Sequence, residues 1–482
     1  MRKKYLPKPA ETPDPPRRVF SSPPLEVHVS RSADQFECIQ LQEPELIFSG
    51  NHRCVDPRTG LAAYGPYCRN ATGGKNCQLR MGIIGTDEEI EKAEALLREI
   101  SGPIEQDPKL DGILHPSFPG LNSGRPFFVD VVTEPAWRRP ISPSALQLPQ
   151  GRSNSIAKAE MIRELFATEA QSMLQLENPP SMAICAVPLG LERSYVDAAC
   201  AQSLPIEILR DGKMVEGSGV RMDKATLAWD LSVRLLHKAG LTPWRLADAN
   251  ADECFAGVSF YRDVDGAPAN TWTAFARVVT DFGDGFLLKG DTLEWTPKNE
   301  SEETPHLEKA QAANLMSRIL DTYEKNTGRR PRKVVVHKTS AYGEAEREGF
   351  EDSLRGVKQH ALVALTRAGV FFLRTGRNPV FRGAAIPFGE KLGVVYTTGY
   401  IPFLKCSPWN GRPVPLEITE NWGSLNFREA AEDLLRLTKI DSRTSAFCAD
   451  IPVTLSFPGR AREIFKILRE PDLVLDDRCV GG

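Results

Sequence analysis

The sequence predicts an α/β fold, and three observations carry that expectation. Short apolar runs alternate with amphipathic segments of helical period along most of the 482 residues. In the first half the apolar runs are separated by helix-length segments, as parallel pairing requires. In the second half, residues 254–290 instead hold consecutive strands of period two. Composition agrees: 41% apolar and 26% charged residues exclude wholesale disorder. At about 100–200 residues per domain, the length corresponds to two to four domains with cores of their own.

Taken in order, residues 1–42 are rich in Pro, Ser and charge and read as a flexible arm. Order is expected from Leu46-Ile47-Phe48. The Gly-, Pro- and Asn-rich stretch 52–76 reads as consecutive turns. Residues 79–84 form a short apolar strand. Gly85-Thr86-Asp87 is a turn with a cap, and 87–100 an amphipathic helix. Strands are expected over 126–132, 182–189 and 205–210, and a linker over 142–154. Helical period marks 158–174 and 225–238, the latter stopping at Gly240 with Pro243 beyond. The second half opens on a strand over 254–261 and continues as a meander through 272–282 and 285–290. A long helix spans 307–325, and 333–338 is a fully apolar strand. Helices are expected over 346–368, 426–437 and 460–468, and strands over 370–374, 393–400 and 451–457.

Several function classes are excluded. With 60 Lys+Arg against 63 Asp+Glu, the net charge of −3 rules out a uniformly basic nucleic-acid binder, though not a single basic groove. The ten cysteines contain no C-x-x-C pair, which argues against a zinc ribbon and for a reducing compartment. Cys54, Cys68 and Cys77 cluster near His52 but lack the regular spacing of a structural zinc site. No apolar run approaches the ~20 residues that span a bilayer. The basic N-terminus lacks the apolar stretch of a secretory signal, so a cytoplasmic protein without membrane contact is expected. There is no phosphate-binding G-x-x-x-x-G-K-[ST], no G-x-G-x-x-G, no G-x-S-x-G and no H-E-x-x-H. His337, at the end of an apolar strand, reads as a structural histidine.

A resemblance enters through seven segments in a fixed order. LIFSGNHRCVDPRTGLAAYGPY (46–67) and MGIIGTDEEI (81–90) precede TPWRLADANADECFAGVSFY (242–261). PRKVVVHKTSAYGEAEREGF (331–350), YTTGYIP (396–402), LTKIDS (437–442) and IPVTLSFPGR (451–460) follow. Together they resemble the short prokaryotic Argonautes, over about residues 45–470. The resemblance implies a Rossmann-like MID domain over 43–250, with an N-terminal extension, and a ribonuclease H-like PIWI domain over 251–482. That family has neither the N nor the PAZ domain.

It also implies where function resides. Slicing PIWI domains hold two divalent metals on converging carboxylates, which hard cations require. Here Ser259 follows Gly257-Val258 where the first Asp belongs, and Thr339 follows His337-Lys338 where the second belongs. Gly459 falls at the last ligand position. Neutral hydroxyls and a hydrogen cannot hold Mg²⁺, so the resemblance implies a PIWI domain without catalytic residues. Asp263, Asp265 and Glu294 lie nearby and read as surface charge; the alternative is a guide-dependent endonuclease using these displaced carboxylates.

In the MID domain, Arg234 and Lys238 share one helix face at i and i+4, in the family's R-x-x-x-K-x-G frame. There they would meet the 5′ phosphate of a guide. Tyr195 is the expected stacking residue for the first base, but Ala199 stands where a Lys should follow one turn later. Glu207 stands where the I-P-x-Q strand carries Gln. A carboxylate beside a phosphate is unfavourable unless a metal bridges them, so Mg²⁺ at the guide 5′ end is the expected cofactor, with no organic one. His237, Arg460 and Arg462 are expected to supply further charge.

The implied function is a guide-directed recognition subunit in bacterial immunity. It would bind a guide RNA, sense complementary single-stranded DNA, and pair 1:1 with a protein joining an APAZ region to an effector. The effector would be a sirtuin-like or TIR NAD hydrolase, or a nuclease.

Overall fold

A computed structural model describes residues 37–146, 155–188, 193–200, 203–211, 223–250, 252–262, 271–280, 283, 285–295, 304–373, 379–408, 412–456, 461–468, 470 and 472–480. The side chains of 155–159, 193–195 and 200 also fall outside that description.

Three two-residue strands come first: β1 (Ile39–Gln40), β2 (Leu46–Ile47) and β3 (Arg53–Cys54). Helix α1 (Pro57–Tyr64) starts at Asp56, whose carboxylate accepts from Thr59 N. Pro57 opens its first turn, where a missing N–H is no loss. β4 (Cys77–Gly85) alternates at its start and is buried throughout from Met81 on, the pattern of a strand covered on both faces. Thr86 caps α2 (Asp87–Ser101), which places Asp87, Glu88 and Glu89 at its positive end. There follow β5 (Val129–Val132), β6 (Arg138–Pro140), α3 (Pro143–Leu146) and α4 (Ser155–Leu174). β7 (Met182–Val187), α5 (Arg193–Cys200), β8 (Ile206–Arg210) and α6 (Lys224–Lys238) complete the first lobe. Its sheet runs β5-β4-β7-β8, with β6 beside the end of β4, and every pairing is parallel. This is the Rossmann-like sheet that the resemblance implies.

β9 (Arg245–Leu246) pairs with β2 and ties the segment between the lobes to the start of the described chain. The second lobe comprises β10 (Glu253–Arg262), β11 (Thr271–Thr280), β12 (Gly285–Glu294), α7 (Lys309–Thr327), β13 (Lys333–Lys338), α8 (Glu344–Leu354) and β14 (Gln359–Arg367). It closes with β15 (Ala384–Pro387), β16 (Gly393–Val395), β17 (Leu416–Gly423), α9 (Phe427–Leu437), α10 (Ala461–Ile467) and β18 (Val474–Asp476). The sheet order is β1-β15-β16-β17-β14-β13-β10-β11-β12-β18. β10, β13 and β14 are parallel neighbours, while β10-β11-β12 is an antiparallel meander. One apolar cluster joins Leu79, Met81 and Leu231 of the first lobe to Phe255, Val335 and Leu434 of the second. Among the described residues no helix is long and apolar enough to cross a membrane.

Several expectations give way to the structure. Order begins before Leu46, because Ile39 and Gln40 pair with Ala385 and Ala384. The stretch 52–76 contains α1, since Asp56-Pro57 is a helix start embedded among turn residues. The helix expected over 346–368 ends at Leu354. Arg355-Gly356 breaks it, and 359–367 becomes a strand whose residues Ala361–Leu365 are buried between β13 and β17. Residues 370–373 form no ladder; the Phe372 N–H donates to the Tyr396 hydroxyl instead (2.8 Å). The strand expected at 451–457 is a turn over its described part. Pro452 has no N–H for a ladder, and the Ser456 N–H donates back to Pro452 O and Val453 O. The linker expected at 142–154 opens with the short helix α3, and 147–154 lie outside the described residues.

Candidate nucleic-acid interface

The register of β10 and β13 decides which side chains converge at their ends. Val258 lies opposite Lys338 in this parallel pair, so Ser259 and Thr339 follow side by side at the same end. Ser259 is half-buried and Thr339 exposed. Gly257 is needed for close approach: a Cβ there would lie 1.8 Å from Thr454 O. The 452–456 turn presses on β10 at this point, and Thr454 Oγ1 is 2.8 Å from His337 Nδ1. Burial, then the Lys333 ammonium, pushes the His337 ring down to about 3, so it is neutral at ordinary pH.

Lys338 is equally buried, and its ammonium is 2.6 Å from Glu346 of α8. Burial opposes ionisation of Glu346, but hydrogen bonds from His306 and Lys338 prevail and hold its carboxyl below the usual range. Lys338 is therefore committed to anchoring α8. Glu294 is exposed, opposite Thr271 at the far end of the meander. Two strands away from Ser259 and several residues along, it is roughly 15 Å distant by strand spacing and rise. Asp263, Asp265 and Gly459 lie outside the described residues. Among the described residues, no three His, Cys, Asp or Glu side chains are grouped to hold a metal.

The second location is the cleft where α6 meets the second lobe. α6 packs on β8, and Gly240, at φ +74°, ends its last turn as the sequence predicts. Arg234 and Lys238 do project together, one turn apart, but toward Glu207 of β8. Arg234 Nε donates to Glu207 Oε1 at 3.1 Å, and Lys238 Nζ is 3.3 Å from Glu207 Oε2. Lys238 also donates to Ile206 O. The three side chains are 15%, 5% and 8% exposed respectively. Burial alone would raise the Glu207 carboxyl, but the Arg234 and Lys238 charges hold it down at about 2.

Two further ion pairs border the cleft through Arg277, Asp477 and Arg443, and the sequence reading missed both. Arg277, on β11, bonds Asp477 at 2.5 Å and the carbonyl of Val453 at 3.1 Å. Arg443 grips Asp441 with two hydrogen bonds of 2.7 and 2.6 Å and reaches Ser456 Oγ. The Arg443 guanidinium holds the Asp441 carboxyl at about 2 against the effect of burial. Arg234, His237, Lys238, Arg277, Ser442, Arg443, Asp477 and Val480 surround a space of about 10 Å³. That is room for one water-sized group. The signal available in the sequence was Arg277 itself, a charge within an otherwise apolar strand.

The remaining candidates are distributed as follows. His237 lines this cleft and the adjoining one beside Gly240, Trp244 and Ile440. Arg462 is exposed on α10, pairs with Glu463 at 3.2 Å, and is not among the lining residues. Tyr195 lies on α5, with its side chain outside the description; Ala199 on the same helix is buried. Arg460 is outside the described residues.

No protein-family model and no curated protein matches the sequence. Solved structures do match. The Argonaute of Clostridium butyricum bound to a guide DNA and a 19-mer target DNA superposes with a TM-score of 0.55 at 14% identity, over 87% of this chain and 51% of its own. The Marinitoga piezophila Argonaute in complex with a 5′ OH guide RNA gives 0.54 at 12%, over 87% and 57%. Drosophila Piwi gives 0.56 at 10%, over 92% and 55%. This chain thus spans little more than half the length of each. What the likeness establishes is the fold: the chain is built as the MID and PIWI domains of Argonaute and Piwi proteins are built.

Proposed function

We propose that the chain is a guide-directed nucleic-acid recognition subunit that does not cut its target. The observation that carries the reading is the pairing of β10 with β13. Their register sets Ser259 and Thr339 side by side, and these two hydroxyls stand at the positions where the resemblance expects carboxylates for a two-metal site. A PIWI-type groove without metal ligands contributes by holding a guide–target duplex, whose backbone shape it reads. The cleft of Arg234, Lys238 and Glu207 receives the guide 5′ end. The guide is an RNA and the target single-stranded DNA, and the setting is bacterial immunity.

Recognition without cutting has an effect only if something else responds. We assign that response to a separate protein with an APAZ region and an effector domain, either an NAD hydrolase or a nuclease. An exposed apolar surface supports such pairing. Leu373 is 87% exposed beside Val370 and Phe372, the Phe372 and Phe388 rings are 6.5 Å apart, and Phe388 N–H donates to Leu392 O. The test is to co-express the chain with the product of its adjacent gene. NAD loss and nucleic-acid degradation are then assayed with guide alone, target alone and both. Activity only with both supports the reading; full activity with guide alone, or no association of the two proteins, refutes it.

A further inference from the structure

We infer that β5, the free edge of the first lobe's sheet, binds an extended apolar and acidic peptide segment of a partner protein by strand addition. The inference goes beyond the guide-directed reading and does not depend on it. It rests on three features that meet at one place: an edge strand, an apolar groove beside it and an uncommitted cation.

β5 is the last strand of its sheet and pairs only with β4. The Cys77 N–H of β4 donates to Phe128 O, whereas the Val129 N–H donates away from the sheet, to Asn122 O. Backbone groups alternate in direction along a strand, so Asp130 and Val132 face β4 and Val131 turns its N–H and C=O outward. A strand laid alongside can take both groups. Next to this edge lies a groove of about 570 Å³. Met81 and Ile83 of β4, Leu97 of α2, Val131 and Trp137 line it. Val131, 38% exposed, carries the apolar surface out to the edge. An extended peptide points alternate side chains to one face, so a segment paired with Val131 would direct every second side chain to the groove. A small apolar molecule would fill the groove without using the strand edge; a peptide uses both.

Charge sets the remaining requirement. On the rim, Arg138 is held by Asp87 at 2.8 Å and Glu94 at 3.7 Å, and Glu134 accepts from Asn178 at 2.8 Å. Arg98 also lines the groove, from the last turn of α2, and closes no ion pair among the described residues. Its complement is a carboxylate flanking the apolar positions of the peptide.

The probe is a phage-displayed library of random short peptides, selected on the full chain without nucleic acid. Enriched peptides are synthesised, and their binding to wild type, Arg98→Glu and Val131→Pro is measured by fluorescence anisotropy. The expected consensus alternates apolar with polar residues and carries Asp or Glu. Arg98→Glu, at an exposed position, should weaken binding about tenfold, the scale of one charge-assisted hydrogen bond. Val131→Pro removes the outward N–H, spares the ladder to β4 and should weaken binding at least as much. Single N-methylation along the peptide should weaken binding only at positions of one parity, the signature of strand pairing; that scan decides if Val131→Pro does not fold. The inference is overturned if no peptide is enriched, or if enriched peptides bind both variants as they bind wild type. Loss in Arg98→Glu alone, with N-methylation tolerated throughout, overturns strand addition. A wild-type dimer that either variant converts to monomer would make this edge an interface between copies of the chain, which also overturns it.

Discussion

Replacing Glu207 with Ala would strand two cations at once. Lys238 is 5% and Arg234 15% exposed at the side chain, and among the described residues neither has another carboxylate within ion-pair distance. Removing one member of a buried ion pair costs about 3–5 kcal/mol, because the remaining charge stays desolvated. Lys238 keeps its contact to Ile206 O, which places the expected cost near the lower end, about 3 kcal/mol. For a lobe of this size, each kcal/mol lowers the melting temperature by about 2–4 °C, so the transition should fall by roughly 6–12 °C. The triple variant Glu207→Leu, Arg234→Leu, Lys238→Met removes every charge and should melt within about 3 °C of wild type, since apolar replacement of a whole buried cluster is often close to neutral. Thermal unfolding followed by tryptophan fluorescence reads the change; Trp229 reports from α6 itself. A single variant that melts with wild type, or a triple variant that melts as low as the single, would refute the buried-triad account. The same reasoning warns that Arg234→Ala with Lys238→Ala unpairs Glu207, so weaker guide binding in that variant would be mixed with lost stability.

Acid should weaken the same region. The Glu207 and Asp441 carboxyls both sit at about 2 in the folded chain, below their ordinary values, so their contribution is complete above about pH 4.5 and is lost as pH falls toward 2. Urea unfolding across that window should show a shallower loss for Glu207→Gln than for wild type; parallel curves would count against the low carboxyl values. Gly257→Ala would drive a methyl group against the Thr454 carbonyl, costing about 3 kcal/mol or more, and should lower the melting temperature clearly, whereas wild-type stability would show that β10 moves freely there. Glu346→Ala leaves Lys338 buried and unpaired and should destabilise by about 3–5 kcal/mol, while Lys338→Met with Glu346→Leu should recover most of that; additive losses would contradict the pairing.

Much of the fold was legible because its periodicities are clean. α2 announces its start through Thr86 and α6 its end through Gly240, and β13, built on Val334-Val335-Val336, has the bounds the sequence predicts. The elements that were misread have a common cause. Residues 359–367 satisfy both a buried strand and a buried helix, and only Gly356 marked the change. IPVTLSF has strand-forming residues, yet Pro452 and the contact of Thr454 on Gly257 fold its described part into a turn. At the candidate site, the i, i+4 spacing of Arg234 and Lys238 and the acid at Glu207 could be read locally. Their closure on one another could not. Nor could Arg277 with Asp477, two residues 200 positions apart that only the finished sheet brings together.

The central claim, recognition without cutting, is tested most directly by one measurement. The purified chain is loaded with a guide and given a labelled complementary strand in Mg²⁺ or Mn²⁺. Retention and cleavage are then followed on the same sample, against a non-complementary control. The account predicts sequence-dependent retention of an intact target. A single cut opposite the middle of the guide, abolished by changing Asp263 or Asp265, would contradict it, as would retention that ignores complementarity.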